Sequence, residues 1–191
     1  MIPLFISDQK LSFERLQSLP RAHLVTLWDG SQSDISISYL LALDPNSLHV
    51  IAKFPPNTPC DRAIQGKFTE HLWKGDVFEI FLGQRGKSSY QETHLTPSGE
   101  WWSATFSAPR IKEQATPYPE AQAVCISSSS GSQAYLKLVL NITSLDNVIV
   151  NVCACLGSEP RWLLSAVPLA GKKAHFHQPE KFIPPITIAL S

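Results

Sequence analysis

Apolar residues in this chain come in short runs, and nearly every run is closed by proline, glycine, asparagine or aspartate. The clearest run is Asp34–Asp44, in which Ile35, Ile37, Tyr39, Leu41 and Leu43 recur at every second position. A period of two is that of a pleated strand with one face buried. Asp44-Pro45-Asn46-Ser47 then reads as a turn, and Leu48–Phe54 as the returning arm of a hairpin. The same reading predicts strands at His23–Trp28, Val77–Leu82, Tyr90–Leu95, Trp101–Phe106 and Val148–Leu156, then at Trp162–Val167 and Ile186–Leu190. Ala121–Ser127 and Tyr135–Leu140 flank a Ser-Ser-Ser-Ser-Gly-Ser turn as a further hairpin. Phe5–Leu19 is expected to begin as an edge strand and continue as a turn or short helix, with Phe13, Leu16 and Leu19 as its apolar stripe. Pro109–Pro119 reads as a surface connection, Ile142–Leu145 as a turn, and Pro168–Pro185 as a long loop. With 15 prolines and only 17% charged residues, the composition suits strands and turns better than long helices. The expected fold is all-β: an antiparallel two-sheet β-sandwich, immunoglobulin-like or jelly-roll-like, with little helix, formed by residues 1–191 as one domain.

Several function classes are excluded early. Sixteen basic residues balance sixteen acidic ones, so there is no electrostatic footprint for nucleic acid or for an anionic membrane. No segment approaches the ~18 apolar residues of a membrane span. The opening MIPLFISDQKLSFERL lacks the basic start and apolar run of a secretory signal, which predicts a cytoplasmic setting. In that setting Cys60, Cys125, Cys153 and Cys155 are expected to be reduced, buried thiols. Cys153-Ala154-Cys155 puts two thiols on one strand face, which reads as packing of small residues rather than as a soft-metal site. No GxGxxG, Walker, GxSxG, HExxH or CxxC pattern is present, so no enzyme is expected.

The functional signal lies in Leu72–Gly99. Phe78, Ile80 and Leu82 share one strand face, and Val77, Glu79 and Phe81 the other. On the next strand Tyr90, Glu92 and His94 share a face opposite Thr93 and Leu95. Paired as a hairpin across Gly83–Ser89, the two strands set Glu79, Glu92 and His94 on one surface beside Trp73. Leu72-Trp73-x-x-Asp76-Val77-x-Glu79-x-Phe81, Tyr90-x-Glu92 and Pro97-x-Gly99-x-Trp101 together resemble the central motif of family 9 carbohydrate-binding modules. More broadly they resemble the DOMON-like domains, sandwiches that bind sugars or haem. His175-Phe176-His177-x-Pro179-Glu180-x-Phe182 resembles the closing motif of the same group.

The resemblance implies a non-catalytic module whose partner is a small sugar or glycan end. Trp73 would stack on the apolar face of the ring, while Glu79, Glu92, His94 and His177 would meet its hydroxyls. In the family the closing loop supplies an aromatic that clamps the sugar against the first tryptophan; Phe176 or His177 stands near that place here, not a tryptophan. Related modules often carry structural calcium, and no other cofactor is implied. Haem is disfavoured, because the sole methionine is Met1 and only bis-histidine ligation would remain.

Plainer readings stand beside these. Trp73 can cap the core with its N–H on a local acceptor. Glu79 and Glu92 can be solvated, or paired with Arg85, Lys87 or Arg110; as a glycosidase pair they would need a particular separation. His175 and His177, with His71, His94 or a glutamate, can hold a metal such as zinc. Anchoring of the last strand is the preferred role for that pair, and no metal ligand is assigned. The alternative function is a structural or protein-interaction sandwich that has lost its site, with Trp73 and Glu79 buried and satisfied and no cleft beside them. A small metal- or haem-dependent enzyme is the remaining class.

Overall fold

The structure is a computed structural model, and it describes residues 1–56, 58–113, 122–128, 131–139, 147–159 and 161–190. Along the chain the strands are β1 (Pro3–Ile6), β2 (Ala22–Thr26), β3 (Gln32–Leu43), β4 (Ser47–Lys53), β5 (Val77–Gln84), β6 (Tyr90–Leu95) and β7 (Trp101–Ala108). They continue as β8 (Ile111–Lys112), β9 (Gln122–Ser128), β10 (Gly131–Val139), β11 (Val148–Leu156), β12 (Trp162–Ser165) and β13 (Ile186–Ala189). One sheet has the order β13-β1-β3-β4-β10-β9, with β2 paired to the free stretch of β3; the other runs β12-β11-β5-β6-β7-β8. The hairpins β3–β4 and β5–β6 form as the turn residues predict, and β9 pairs with β10 as expected, with both strands extending into the stretch read as their turn. The turn at Ile142–Leu145 and the part of the Pro109–Pro119 connection beyond residue 113 lie outside the described residues.

The two sheets face each other across an apolar layer. Phe78 and Ile80 of β5, Leu95 of β6 and Val150, Val152 and Ala154 of β11 meet Tyr39, Leu41, Val50, Leu136 and Leu138 of the facing sheet. The alternation of each strand thus sends the opposite set outward: Val77 and Phe81, Trp102 and Phe106, Cys153 and Cys155 form a second cluster on the far side of the β5-containing sheet. That outer face is not left to water. The chain after β12 crosses it and is pinned by reciprocal backbone hydrogen bonds between Ile183 and Val150, 2.7 and 3.1 Å. Buried Gln178 braces the crossing, donating to the Ala170 and His175 carbonyls at 2.8 Å and accepting from the Ala170 N–H at 3.0 Å. On the other sheet, helix α1 (Phe13–Gln17) lays Leu16 over Leu40 and Ile51, its first turn capped by the Ser12 hydroxyl.

The Pro97-Ser98-Gly99 turn shows why its glycine is required. Gly99 has φ +77°, and a Cβ there would sit 3.0 Å from the backbone nitrogen of Cys125.

Two expectations are corrected. The strand starting at Phe5 is not an edge: β1 lies between β13 and β3 and is parallel to both, because the last strand of the chain returns to take the edge position beside it. The four cysteines are not all reduced, since Cys60 and Cys125 form a disulfide while Cys153 and Cys155 are free and buried. Cys60 lies in the irregular connection from β4 to β5, and that connection is drawn against the Pro97–Gly99 turn, where the Asp61 N–H donates to the Ser98 hydroxyl at 2.9 Å. Nothing in the local sequence announces that long-range approach.

Candidate functional site

Register builds the site from alternation. On the outward face, Cys153, Glu79, His94 and Trp102 fall in one row across β11, β5, β6 and β7. The next row contains Phe81, Glu92 and Ala104, and the one after it Tyr90 and Phe106. Above these rows opens a cavity of about 680 Å³. Trp73, on the single turn Leu72–Lys74, and the loop carrying His175, Phe176 and His177 both line it. The six residues the sequence singled out, Trp73, Glu79, Glu92, His94, Phe176 and His177, all line this one cavity.

Trp73 does not cap the core, because it is 51% exposed. Its turn is held from beneath by Arg161, whose guanidinium donates to the Trp73 carbonyl and, at 2.6 Å, to the Gly75 carbonyl. The floor is the opposite in character. Glu79, Glu92 and His94 are 2%, 5% and 2% exposed. His94 Nε2 lies 2.7 Å from Glu92 Oε1 and 3.4 Å from Glu79 Oε1. The carboxylates therefore meet through a histidine, not through Arg85, Lys87 or Arg110. The Trp102 ring, 4.8 Å from that of His94, packs on the imidazole.

Burial pushes the Glu79 carboxyl up to about 7; His94 opposes the shift and the charge of Glu92 adds to it. Burial pulls His94 down, but Glu79 and the bond and charge of Glu92 outweigh it, leaving the imidazole raised. His177 is lowered, chiefly by burial. It hydrogen-bonds Tyr90 at 2.6 Å and stands 3.7 Å from Glu92 Oε2. Phe176 packs edge-on against Phe81 at 6.4 Å, so its ring serves the wall of the cavity as much as its opening.

The decisive property of the floor is what it leaves unmade. Glu79 Oε2, Glu92 Oε2, His94 Nδ1 and Trp102 Nε1 are buried with no hydrogen-bond partner. Each such atom costs about 1–3 kcal/mol in a folded protein. All four belong to residues that line the cavity, and a buried polar group without a partner calls for an explanation.

Other lining residues were missed by the sequence reading: Trp102, Phe106, Arg110, Lys112 and Arg161. Trp102 and Phe106 carried a usable signal, since the tight turn between β6 and β7 puts them on the same face as His94. Arg161 carried none; it is 88 positions from the tryptophan it supports.

No protein-family model matches the chain, and no curated protein matches it. Solved structures do. A module of carbohydrate-binding family 9 from Caldicellulosiruptor kristjanssonii in complex with cellotriose superimposes with a TM-score of 0.66 at 11% identity, over 99% of this chain and 95% of that one. The same kind of module from that organism in complex with glucose gives 0.63 at 11% identity, over 98% and 96%. A protein from Bacteroides uniformis, described as carbohydrate-binding, gives 0.66 at 14% identity, over 87% and 85%. Two opposed sheets, an outward hairpin bearing the polar residues and a closing loop across it make this chain a sandwich with the fold of family 9 carbohydrate-binding modules.

Proposed function

We propose that this protein is a non-catalytic carbohydrate-binding module that takes a small sugar or a glycan end into the cavity on the outer face of β5, β6 and β7. A pyranose has an apolar C–H face and a rim of hydroxyls that donate and accept. Trp73 supplies an exposed indole for the face. Glu79 Oε2 and Glu92 Oε2 accept from hydroxyls, while Trp102 Nε1 donates to one. His177 and Phe176 also line the cavity. The single observation that carries this reading is the set of buried, unpartnered polar atoms beneath an exposed tryptophan. An open cavity with an exposed Trp73 counts against a sandwich that has lost its site. The structural neighbours bind glucose and cellotriose, which supports sugars of that kind as the first ligands to try.

Titration calorimetry with glucose, cellobiose and cellotriose tests the reading. Wild-type protein is expected to bind at least one of them with Kd between about 10 µM and 1 mM, as befits a small ligand with limited energy per atom. No heat from folded wild-type protein across a panel of mono- and oligosaccharides would overturn it.

A further inference from the structure

We infer that the floor of this cavity is a binding site for one divalent transition-metal ion of the zinc class, ligated by Glu79, Glu92 and His94. The inference goes beyond the sugar reading and does not rest on it.

Among the described residues, these three are the group of metal-ligating side chains that comes together, with one ligand atom from each lying within 4.8 Å of the others. The two spacings to His94 are close to those of a tetrahedral ion, and the two carboxylates lie within 4.8 Å of each other. Zinc bonds of about 2.0–2.1 Å to nitrogen and oxygen place two ligands of a tetrahedron roughly 3.3 Å apart. His94 Nε2 is already 3.4 Å from Glu79 Oε1, and its 2.7 Å approach to Glu92 Oε1 needs to open by only a few tenths of an ångström. The ion would take the place of the proton now shared along that short contact.

Charge and burial point the same way. Two carboxylates and one imidazole, nearly sealed from solvent, hold at best one positive charge against two negative ones. A dication balances both carboxylates. The second carboxylate oxygens, Glu79 Oε2 and Glu92 Oε2, are buried without a hydrogen bond, the latter 3.7 Å from His177 Nδ1. Packing against Trp102 at 4.8 Å holds the imidazole plane, so its nitrogen is presented without further ordering.

The donor set selects the kind of ion. Calcium takes six to eight oxygens and magnesium keeps a shell of water. Two carboxylates with an imidazole suit zinc and its neighbours in the transition series. Three protein ligands beneath an open cavity leave a fourth position for water or a ligand oxygen.

The test uses the full chain after chelator treatment, titrated with zinc chloride by calorimetry, and with cobalt chloride followed by visible absorption. One ion per chain is expected, with Kd below about 10 µM and a cobalt spectrum of low-coordinate type. Glu79→Gln and Glu92→Gln should each weaken zinc about 100-fold or more, while His23→Ala, at an exposed position on β2, leaves it unchanged. Absence of stoichiometric zinc and cobalt uptake by the folded wild-type protein would overturn the inference whatever the variants do. Uptake that survives in both glutamine variants, shown to be folded by circular dichroism, would overturn it as well. No sugar enters the assay, so its failure leaves the carbohydrate reading standing, and the reverse holds too.

Discussion

Trp73 and Glu79 line one cavity and are held by opposite physics. Trp73 is half in solvent and contributes little packing, so Trp73→Ala should leave the unfolding free energy within about 0.5 kcal/mol of wild type. The same change removes the stacking surface and should weaken sugar binding tenfold or more, about 1.4 kcal/mol. Calorimetry and a urea melt on one preparation check both halves. For Glu79 the effect falls on stability. Its carboxyl is raised to about 7 in the native protein, mainly by burial, against about 4.3 in the unfolded chain. The native state therefore holds the proton more tightly, and the stability this group contributes is complete below about pH 4 and lost as pH rises through about 7. His94, also raised, acts in the same direction toward higher pH. In chelator-treated protein, Glu79→Gln should gain on wild type between pH 5 and pH 8, by at most about 1.4 kcal/mol for each tenfold difference in proton affinity between the native and unfolded carboxyl. Urea melts giving parallel pH profiles for the two proteins would contradict this.

At the scale of elements, the site depends on a segment without regular strand structure. The crossing after β12 covers apolar surface that the sheet would otherwise expose, and it carries His175, Phe176 and His177 to the cavity. Three side-chain bonds of buried Gln178 contribute to its internal order. Gln178→Ala removes all three and leaves backbone groups of Ala170 and His175 unsatisfied, which should cost about 1–3 kcal/mol. Amide exchange should quicken first in residues 170–178, while β5 and β6 keep their protection, because the loop can open without the sheet. Equal loss of protection across the sheet and the loop would show that the loop is not a separate unit. Gly99 marks another constraint nearby: the turn that sets the β6–β7 register has a positive φ, and a Cβ there would crowd the β9 backbone.

Across the whole molecule, the Cys60–Cys125 disulfide ties the connection between the sheets to β9 and encloses β5–β8 in its loop. Closing a loop with a sequence separation of 65 constrains the unfolded chain, and Cys60→Ser should cost about 2–4 kcal/mol. Bridges of this kind persist in oxidising compartments and are reduced in others. Alkylation of denatured, unreduced protein from its native source, read by mass spectrometry, should label Cys153 and Cys155 only. Label on all four cysteines would mean that the bridge is absent in the cell.

Much of the site was legible because period-two alternation is a local property. Once Val77–Gln84 and Tyr90–Leu95 are strands joined by a short loop, the side of the sheet taken by Glu79, Glu92 and His94 follows from counting residues. The glycine of the Pro97–Gly99 turn and the hairpins at Asp44–Ser47 and after Ser127 were readable for the same reason. What alternation cannot say is which outward face will be covered, or by what. Arg161 beneath Trp73, the closing loop braced by Gln178, Cys60 against Cys125 and the parallel placement of β1 all join residues far apart in the chain. The sequence by itself determined the class of fold and the membership of the polar hairpin, since both are set by local period and turn chemistry. Only the tertiary structure decided that the hairpin forms the floor of a cavity, because that depends on which distant segments bury the remaining apolar surface.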